Sequence, residues 1–563
     1  MSDNTTNEIT TSNQWMFSTR CLTKDGKRDF VFVKEKHISV DKNNNITNVE
    51  NKHSIINEPK RKLWVTKKQF RTHKDKKESE DITKCDEYVV KDSEMVPELK
   101  KIFNIPFDRF MKFKQICNSP YIYGADVSME ALVRIKYFYA AKHRILQFNT
   151  GGLDIEASVL GCNRINVITV VLDKDIYTGV LRDFMDNNVD EYGRHFTPTK
   201  KEQEEFNRQV CAPYIDKHNF KLHFEIFDDE ISMIEWIFSK IHLHRVDFLS
   251  IWNIGYDFPV IIDRIEKNNR DVVDLLHDST IDPKYKYFWY QADNRKTQHN
   301  TDKWPWVHWV SYTQPIDSML NYARVRKQQT KESKYTLDFI SKKVLGKGKL
   351  EFDDNADHYT MQTKYFKKYI AYNIIDSVIL QLMNYTTKDH AALVELTGMS
   401  PLRDFSKQTV MLKDQLYDYY LRRKRVLGTV PATTEEPHSK YLEKLGGTVL
   451  QPYRIKHSGL NALREYPDIE TMAFVLGFDE DFSSVYPFSK ISHNVSKDTK
   501  LSSFLNIDGV RDVGMIEKLC GGICTPIENA VPISNKFFRL PDYIEMEDLI
   551  TKHLKLKHEV SYF

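Results

Sequence analysis

Gly151-Gly-Leu-Asp-Ile-Glu-Ala157 sets two acidic residues two positions apart behind a double glycine. In a strand, side chains two apart share a face, so Asp154 and Glu156 would present two carboxylates to one side. That spacing suits a shared divalent cation. An exposed strand edge gives the same pattern, and a chain with 79 acidic residues contains acid-x-acid triplets by chance. The triplet acquires a meaning only from what surrounds it.

Around it, residues 145–385 alternate strand-like runs (Val167–Leu172, Phe248–Trp252) with helix-like ones (Ile231–Ile241, Tyr365–Met383). Alternation of this kind argues for an α/β domain. Before it, to about Ser128, short apolar runs such as Phe30–Val33 sit between polar connections, predicting small, mainly β structure. After it, a helical pattern rich in Leu and basic residues spans about 390–428 and ends near Gly428. The linker Val430-Pro-Ala-Thr-Thr-Glu-Glu-Pro437 then marks a boundary. Four segments are expected: 1–128, 129–388, 389–440 and 441–563.

Two further acidic positions stand in the α/β segment. In Trp252-Asn-Ile-Gly-Tyr-Asp-Phe-Pro259 an apolar strand runs into Asn, Gly and then Asp257, which taken alone reads as a helix N-cap. Tyr369–Ser377 has helical periodicity that stacks Tyr372 and Asp376 at i and i+4, a pattern also met in a helix with a buried Tyr and a surface Asp.

Length and composition frame these motifs. With 563 residues several domains are expected, and 41% apolar with 12% aromatic residues describes a folded chain. The start MSDNTTNEITTSNQ has no signal-peptide pattern and no stretch reaches membrane-spanning length, so an intracellular protein with no membrane partner is expected. Cys520 and Cys524 form a lone CxxxC without zinc spacing around it. The net charge of +3 argues neither for nor against a polyanion. Locally, Lys60–Lys77 holds nine Lys/Arg among eighteen residues with Trp64 and Phe70 interleaved. Lys60, Arg61, Lys67, Lys68 and Arg71 are thus candidate DNA contacts, against the alternative of a solvated surface with core aromatics. Aromatic runs at Lys284–Ala292 and Lys303–Trp309 flank a polar turn and predict a β-hairpin.

Taken in order, D-x-E, N-x-x-Y-D and Y-x-x-x-D, with acids separated by 103 and 119 residues, resemble the DEDDy 3′→5′ exonucleases. The resemblance implies an RNase H-like α/β fold and a site of two Mg²⁺ (or Mn²⁺) ions. Asp154, Glu156, Asp257 and Asp376 would be ligands and Tyr372 would orient the attacking water. The second motif is one residue shorter than in the phage enzymes of that family.

Asp481-Phe-Ser-Ser-Val-Tyr-Pro487 resembles motif A of family B DNA polymerases, and Leu445-Gly-Gly-Thr-Val-Leu450 looks like the link before their palm. With Tyr335-Thr-Leu-Asp-Phe-Ile340 and Arg425-Val-Leu-Gly428, the whole arrangement is most similar to replicative polymerases of T-even-type phages, over roughly 110–490. The resemblance implies that Asp481 and the Phe482 carbonyl bind a second pair of metal ions. Ser483, Ser484 and Val485 would grip a dNTP, and Tyr486 would pack under its deoxyribose. Asp479 lies on the same strand face, but the spacing to Tyr486-Pro487 selects Asp481; Phe488 replaces a usually small residue.

On this reading segment 1–128 is a mainly β N-terminal domain, 129–388 the exonuclease, 389–440 a helical connector and 441–563 an incomplete α+β palm. No fingers helix, D-T-D turn or thumb follows Asp481. The expectation is one subunit of a split, proofreading DNA polymerase in the cytoplasm of an infected bacterium. Its partners would be primer-template DNA, dNTPs, a second polypeptide with fingers, remaining palm and thumb, and a sliding clamp. The alternatives are a free-standing DNA exonuclease with a vestigial palm fragment, and a non-enzymatic DNA-binding subunit.

Overall fold

The computed structural model describes residues 10–428, apart from 24–27, 42, 44, 74–75, 78, 104–118, 142–143, 160, 187–196, 297–298, 328–330 and 353–356. Contacts divide the chain into Met1–Glu435 and Glu436–Phe563, and the described residues all belong to the first unit. The linker at 430–437, Asp481–Tyr486, Cys520 and Cys524 lie outside them.

The N-terminal region is mainly β. Strands β1 (Thr10–Leu22), β2 (Asp29–Val40) and β3 (Ile46–Asn57) form an antiparallel sheet. Strands β4 (Lys60–Thr66), β5 (Ser79–Asp81), β6 (Cys85–Lys91) and β7 (Ile122–Tyr123) follow, with helix α1 (Met95–Ile102) after β6; β4 lies between β6 and β7. Helix α2 (Met129–Ala140), capped by the Ser128 hydroxyl accepting from the Ala131 amide, leads out of this region.

A six-stranded mixed sheet forms the centre. It is built from β8 (Thr150–Ala157), β9 (Ile165–Leu172), β10 (Asp175–Leu181), β11 (Lys221–Phe227), β12 (Phe248–Ile251) and, after the hairpin β13 (Phe288–Gln291) and β14 (Trp306–Trp309), β15 (Gln314–Asp317). Spatial order is β11-β10-β9-β8-β12-β15. Strands β8, β9 and β10 run antiparallel in a meander, whereas β10–β11, β8–β12 and β12–β15 are parallel.

Strand β9, INVITVVL, is buried at every position, because helices cover both faces. On one side lies α3 (Lys200–Ile215); on the other, α4 (Glu230–His244). Helices α5 (Ile254–Lys267), α6 (Ser318–Val325) and α7 (Leu337–Leu345) lead to α8 (Phe366–Thr387), whose residues Tyr369–Met383 are all buried. The register shows that α8 and α4 lie on opposite faces. Gly152, which abuts Ser377 of α8, pairs with Val171; Gly179, which abuts Met233 of α4, pairs with Ile168, an odd number of residues away.

The expected continuous helix over 390–428 is instead two, α9 (Asp389–Thr397) and α10 (Gln408–Arg422). Gly398 adopts φ +60, and Pro401 follows three residues on, so neither can propagate a helix. Strand β16 (Arg425–Leu427) then pairs back onto β5, returning the chain to the N-terminal region.

A shared core joins the N-terminal sheet to the central one: Trp15, Phe17, Phe30 and Phe32 pack with Phe248, Trp306 and Leu393. Beneath it, the Lys34 and Lys36 ammonium groups of β2 both donate to the buried Asp247 carboxylate at the start of β12, at 2.6 and 2.5 Å. Among the described residues, no helix is long and apolar enough to cross a membrane.

Candidate metal centre

Asp154 and Glu156 project from β8 and Asp376 from α8, and one carboxylate oxygen of each lies within 4.8 Å of the others. The double glycine ahead of the acids makes this approach feasible. A Cβ on Gly152 would lie 2.6 Å from the Ser377 carbonyl oxygen and 2.9 Å from Leu380 Cβ, so α8 rests almost directly on the strand backbone. Ser377 Oγ donates to the Thr169 carbonyl at 3.1 Å, fixing the helix to β9 as well.

One stripe of α8 serves the site, since residues three, four and seven apart share a helix face. The Tyr369 hydroxyl donates to Glu156 Oε2, Asn373 Nδ2 donates to Asp154 Oδ2 at 2.8 Å, and Tyr372 and Asp376 complete the row. Tyr369 in turn accepts from Gln362 Nε2 at 3.1 Å, and its ring stacks on Tyr372 with centroids 6.0 Å apart. Each β8 carboxylate is thereby held by one oxygen.

Asp257 lies buried in the first turn of α5, inside the helix and not at its N-cap, which is Asn253. It stands outside the three-residue group but within its field. Burial first, and then the Asp154 charge, pushes its carboxyl well above the usual range.

The same physics governs the others. Burial, with Asp376 and Glu156 adding repulsion, drives Asp154 far up. Glu156 is pushed up to about 8, chiefly by burial, and Asp376 to about 6, burial prevailing over the attraction of Lys349. Lys349 is the local cation: its ammonium donates to Asp376 Oδ2 at 2.5 Å and to the Tyr372 hydroxyl at 2.8 Å. Burial opposes its charge, yet Asp376, Tyr372 and Asp154 together hold it above its ordinary value.

Three carboxylates thus face one ammonium group, and Asp376 Oδ1 is buried without a hydrogen-bond partner. An excess of negative charge, an unused oxygen and an all-oxygen donor set fit a hard divalent cation such as Mg²⁺ or Mn²⁺. The group of Asp154, Glu156 and Asp376 can therefore bind a metal ion.

The basic candidates of the N-terminal region fare differently. Arg61 shares the inner face of β4 with Leu63; it is 6% exposed, pairs with Asp92 and donates to the Gly124 and Ala125 carbonyls. It is a structural residue and not a surface phosphate contact. Arg71 donates to the Thr66 carbonyl and lies over the Phe103 ring, and Trp64 is core. Lys67 donates to the Thr83 carbonyl, leaving Lys60 and Lys68 exposed.

Tyr369, Asn373 and Lys349 were not singled out by sequence. The first two were accessible, as polar residues at i−7 and i−3 from Asp376 on the same helix face. Lys349 follows α7 in a segment without periodicity and carries no such signal.

No family model matches this chain, and no curated protein matches it.

Proposed function

We propose that the described region is a metal-dependent 3′→5′ DNA exonuclease of RNase H-like fold, the proofreading half of a family B-type DNA polymerase. The observation that carries this reading is the convergence of Asp154, Glu156 and Asp376 within 4.8 Å from strand and helix positions more than 200 residues apart. Asp257 and Tyr372 beside them complete the set that the sequence resemblance implies.

Asp154, Glu156, Asp257 and Asp376 would hold the divalent ions, which when bound supply Lewis acidity toward the phosphodiester and make water a nucleophile near neutral pH. The protein's own groups supply orientation. Tyr369 and Asn373 each occupy one oxygen of a β8 carboxylate and leave the other for the ion. Tyr372 is held above its ordinary value by burial and by Asp376, so it stays a neutral phenol. Its oxygen accepts from Lys349, and its O–H is shared with the Asp376 carboxylate, so the phenol stands directly beside a metal-binding group.

Asp481, Phe482, Ser483, Ser484, Val485 and Tyr486 would contribute the nucleotide-binding side of a polymerase site, on the resemblance of their sequence alone.

The test is to incubate the purified chain with Mg²⁺ and a 5′-labelled primer on a longer template, beside an Asp154→Ala/Glu156→Ala control. Stepwise shortening of the primer that the double substitution abolishes supports the reading. Absence of any shortening with Mg²⁺ and with Mn²⁺ overturns it.

A further inference from the structure

Helix α5 begins without a cap of its own. The first amides of a helix have no intrahelical acceptor and are ordinarily met by the side chain of the N-cap residue. Asn253 occupies that position, but its side chain makes no capping bond. The acceptor comes from another strand. Asp317, the last residue of β15, accepts from the Ile254 amide through Oδ2 at 3.0 Å and caps its own helix α6 by accepting from the Leu320 amide through Oδ1 at 2.8 Å.

One carboxylate therefore serves two helix starts. The geometry follows from the sheet: β12 and β15 are parallel neighbours with Ile251 level with Asp317, so both chains leave the sheet at the same edge and turn into helices side by side. A reciprocal backbone bond ties the turns together, the Met319 amide donating to the Trp252 carbonyl at 3.4 Å. Asp317 is 4% exposed and makes no ion pair among the described residues, although the Arg324 guanidinium of α6 favours its ionised form. Burying a carboxylate is costly unless hydrogen bonds compensate it, and here two helix-start amides supply them. What the costly arrangement fixes is the start of α5 at Ile254, three residues before Asp257, whose amide closes onto the Asn253 carbonyl at 3.2 Å.

We infer that Asp317 is a positioning residue: it caps α5 from the neighbouring strand and so holds Asp257 at the angle from which it faces Asp154 and Glu156. The functional half of this inference rests on the exonuclease reading. Outer-shell partners of metal ligands commonly change metal affinity or turnover about 10- to 100-fold when removed, a scale that applies here.

The experiment compares the full chain with Asp317→Asn, which keeps the volume but offers only one acceptor oxygen, and with Asp317→Ser as a second variant should the first fold poorly. Ser128→Ala serves as control, since Ser128 caps α2 next to the N-terminal region and removal of that cap tests helix capping in general. Hydrogen exchange over residues 254–258 is read alongside kcat and KM for a single-stranded oligonucleotide, per folded molecule. Expected for Asp317→Asn is faster exchange confined to that turn and a kcat lower by about 10-fold or more, with KM for DNA nearly unchanged and a raised Mn²⁺ half-saturation. Ser128→Ala should lower thermal stability without either change. Unaltered exchange at Ile254 overturns the cap itself, whatever the activity. Faster exchange with an unaltered kcat overturns the positioning role. Faster exchange in Asp317→Asn together with a wild-type chain that leaves DNA intact overturns the exonuclease reading while supporting the cap.

Discussion

A Cβ added to Gly152 would stand 2.6 Å from the carbonyl oxygen of Ser377, closer than any real Cβ contact permits. Gly152→Ala must therefore lift α8 away from β8, and with it Asp376 away from Asp154. Overpacking at such a contact costs about 1–3 kcal/mol, because neither backbone can yield independently of its sheet or helix. The expected outcome is a lower urea midpoint together with a loss of metal-dependent DNA shortening larger than the stability change explains. An Ala variant that retains full turnover would contradict the role given to this contact.

The raised carboxyls make stability and metal binding respond to pH in opposite directions. A carboxyl whose folded value lies above its unfolded value of about 4 stabilises the metal-free fold when protonated. That contribution is complete below about pH 4 and is lost as pH rises through about 6 for Asp376 and about 8 for Glu156. Metal binding needs the ionised forms, so it strengthens over the same window. Thermal unfolding with and without millimolar Mg²⁺ should show a larger gain at about pH 8.5 than at pH 6. An equal gain at both values would place the ion elsewhere.

Asp247 joins the N-terminal sheet to the central one through two buried ammonium groups. Burial alone would raise its carboxyl, yet Lys34 and Lys36 hold it below the usual range, while burial lowers Lys34 to about 8. Asp247→Asn leaves two buried cations around a neutral amide and should cost about 3–5 kcal/mol. Replacing the three residues together by apolar ones of similar volume should restore much of that loss. Equilibrium denaturation of the single and triple variants checks both statements.

Local periodicity made the strand of Asp154 and Glu156 and the helix of Tyr372 and Asp376 legible in the sequence, because both motifs lie within single elements whose repeat sets the facing. The same reasoning could not place Asp257 inside α5, since the group that starts this helix, Asp317, is 63 residues from Ile254. Arg61 shows the converse limit. A run of basic residues looks solvated, and only the fold shows that Asp92 and two carbonyls draw one of them inward. Across 390–428 the helical repeat was read over Gly398 and Pro401, two residues whose backbone preferences outweigh the apolar spacing around them.

Lys349 makes the last prediction. Its charge favours the ionised forms of Asp376 and Asp154, and its bond to Tyr372 fixes the phenol oxygen as an acceptor. In Lys349→Met the packing of the aliphatic stem is largely kept while the charge is lost. Asp376 must then titrate above its present value of about 6, so the acid limb of the pH–activity profile moves to higher pH. Two consequences separate this from general damage to the fold. Activity lost near neutrality should be partly regained toward about pH 9, and Mn²⁺ half-saturation should rise more at low pH than at high pH. Steady-state rates across that range with a 5′-labelled oligonucleotide would show both. A uniform loss at every pH would instead assign Lys349 a direct contact with the DNA phosphate.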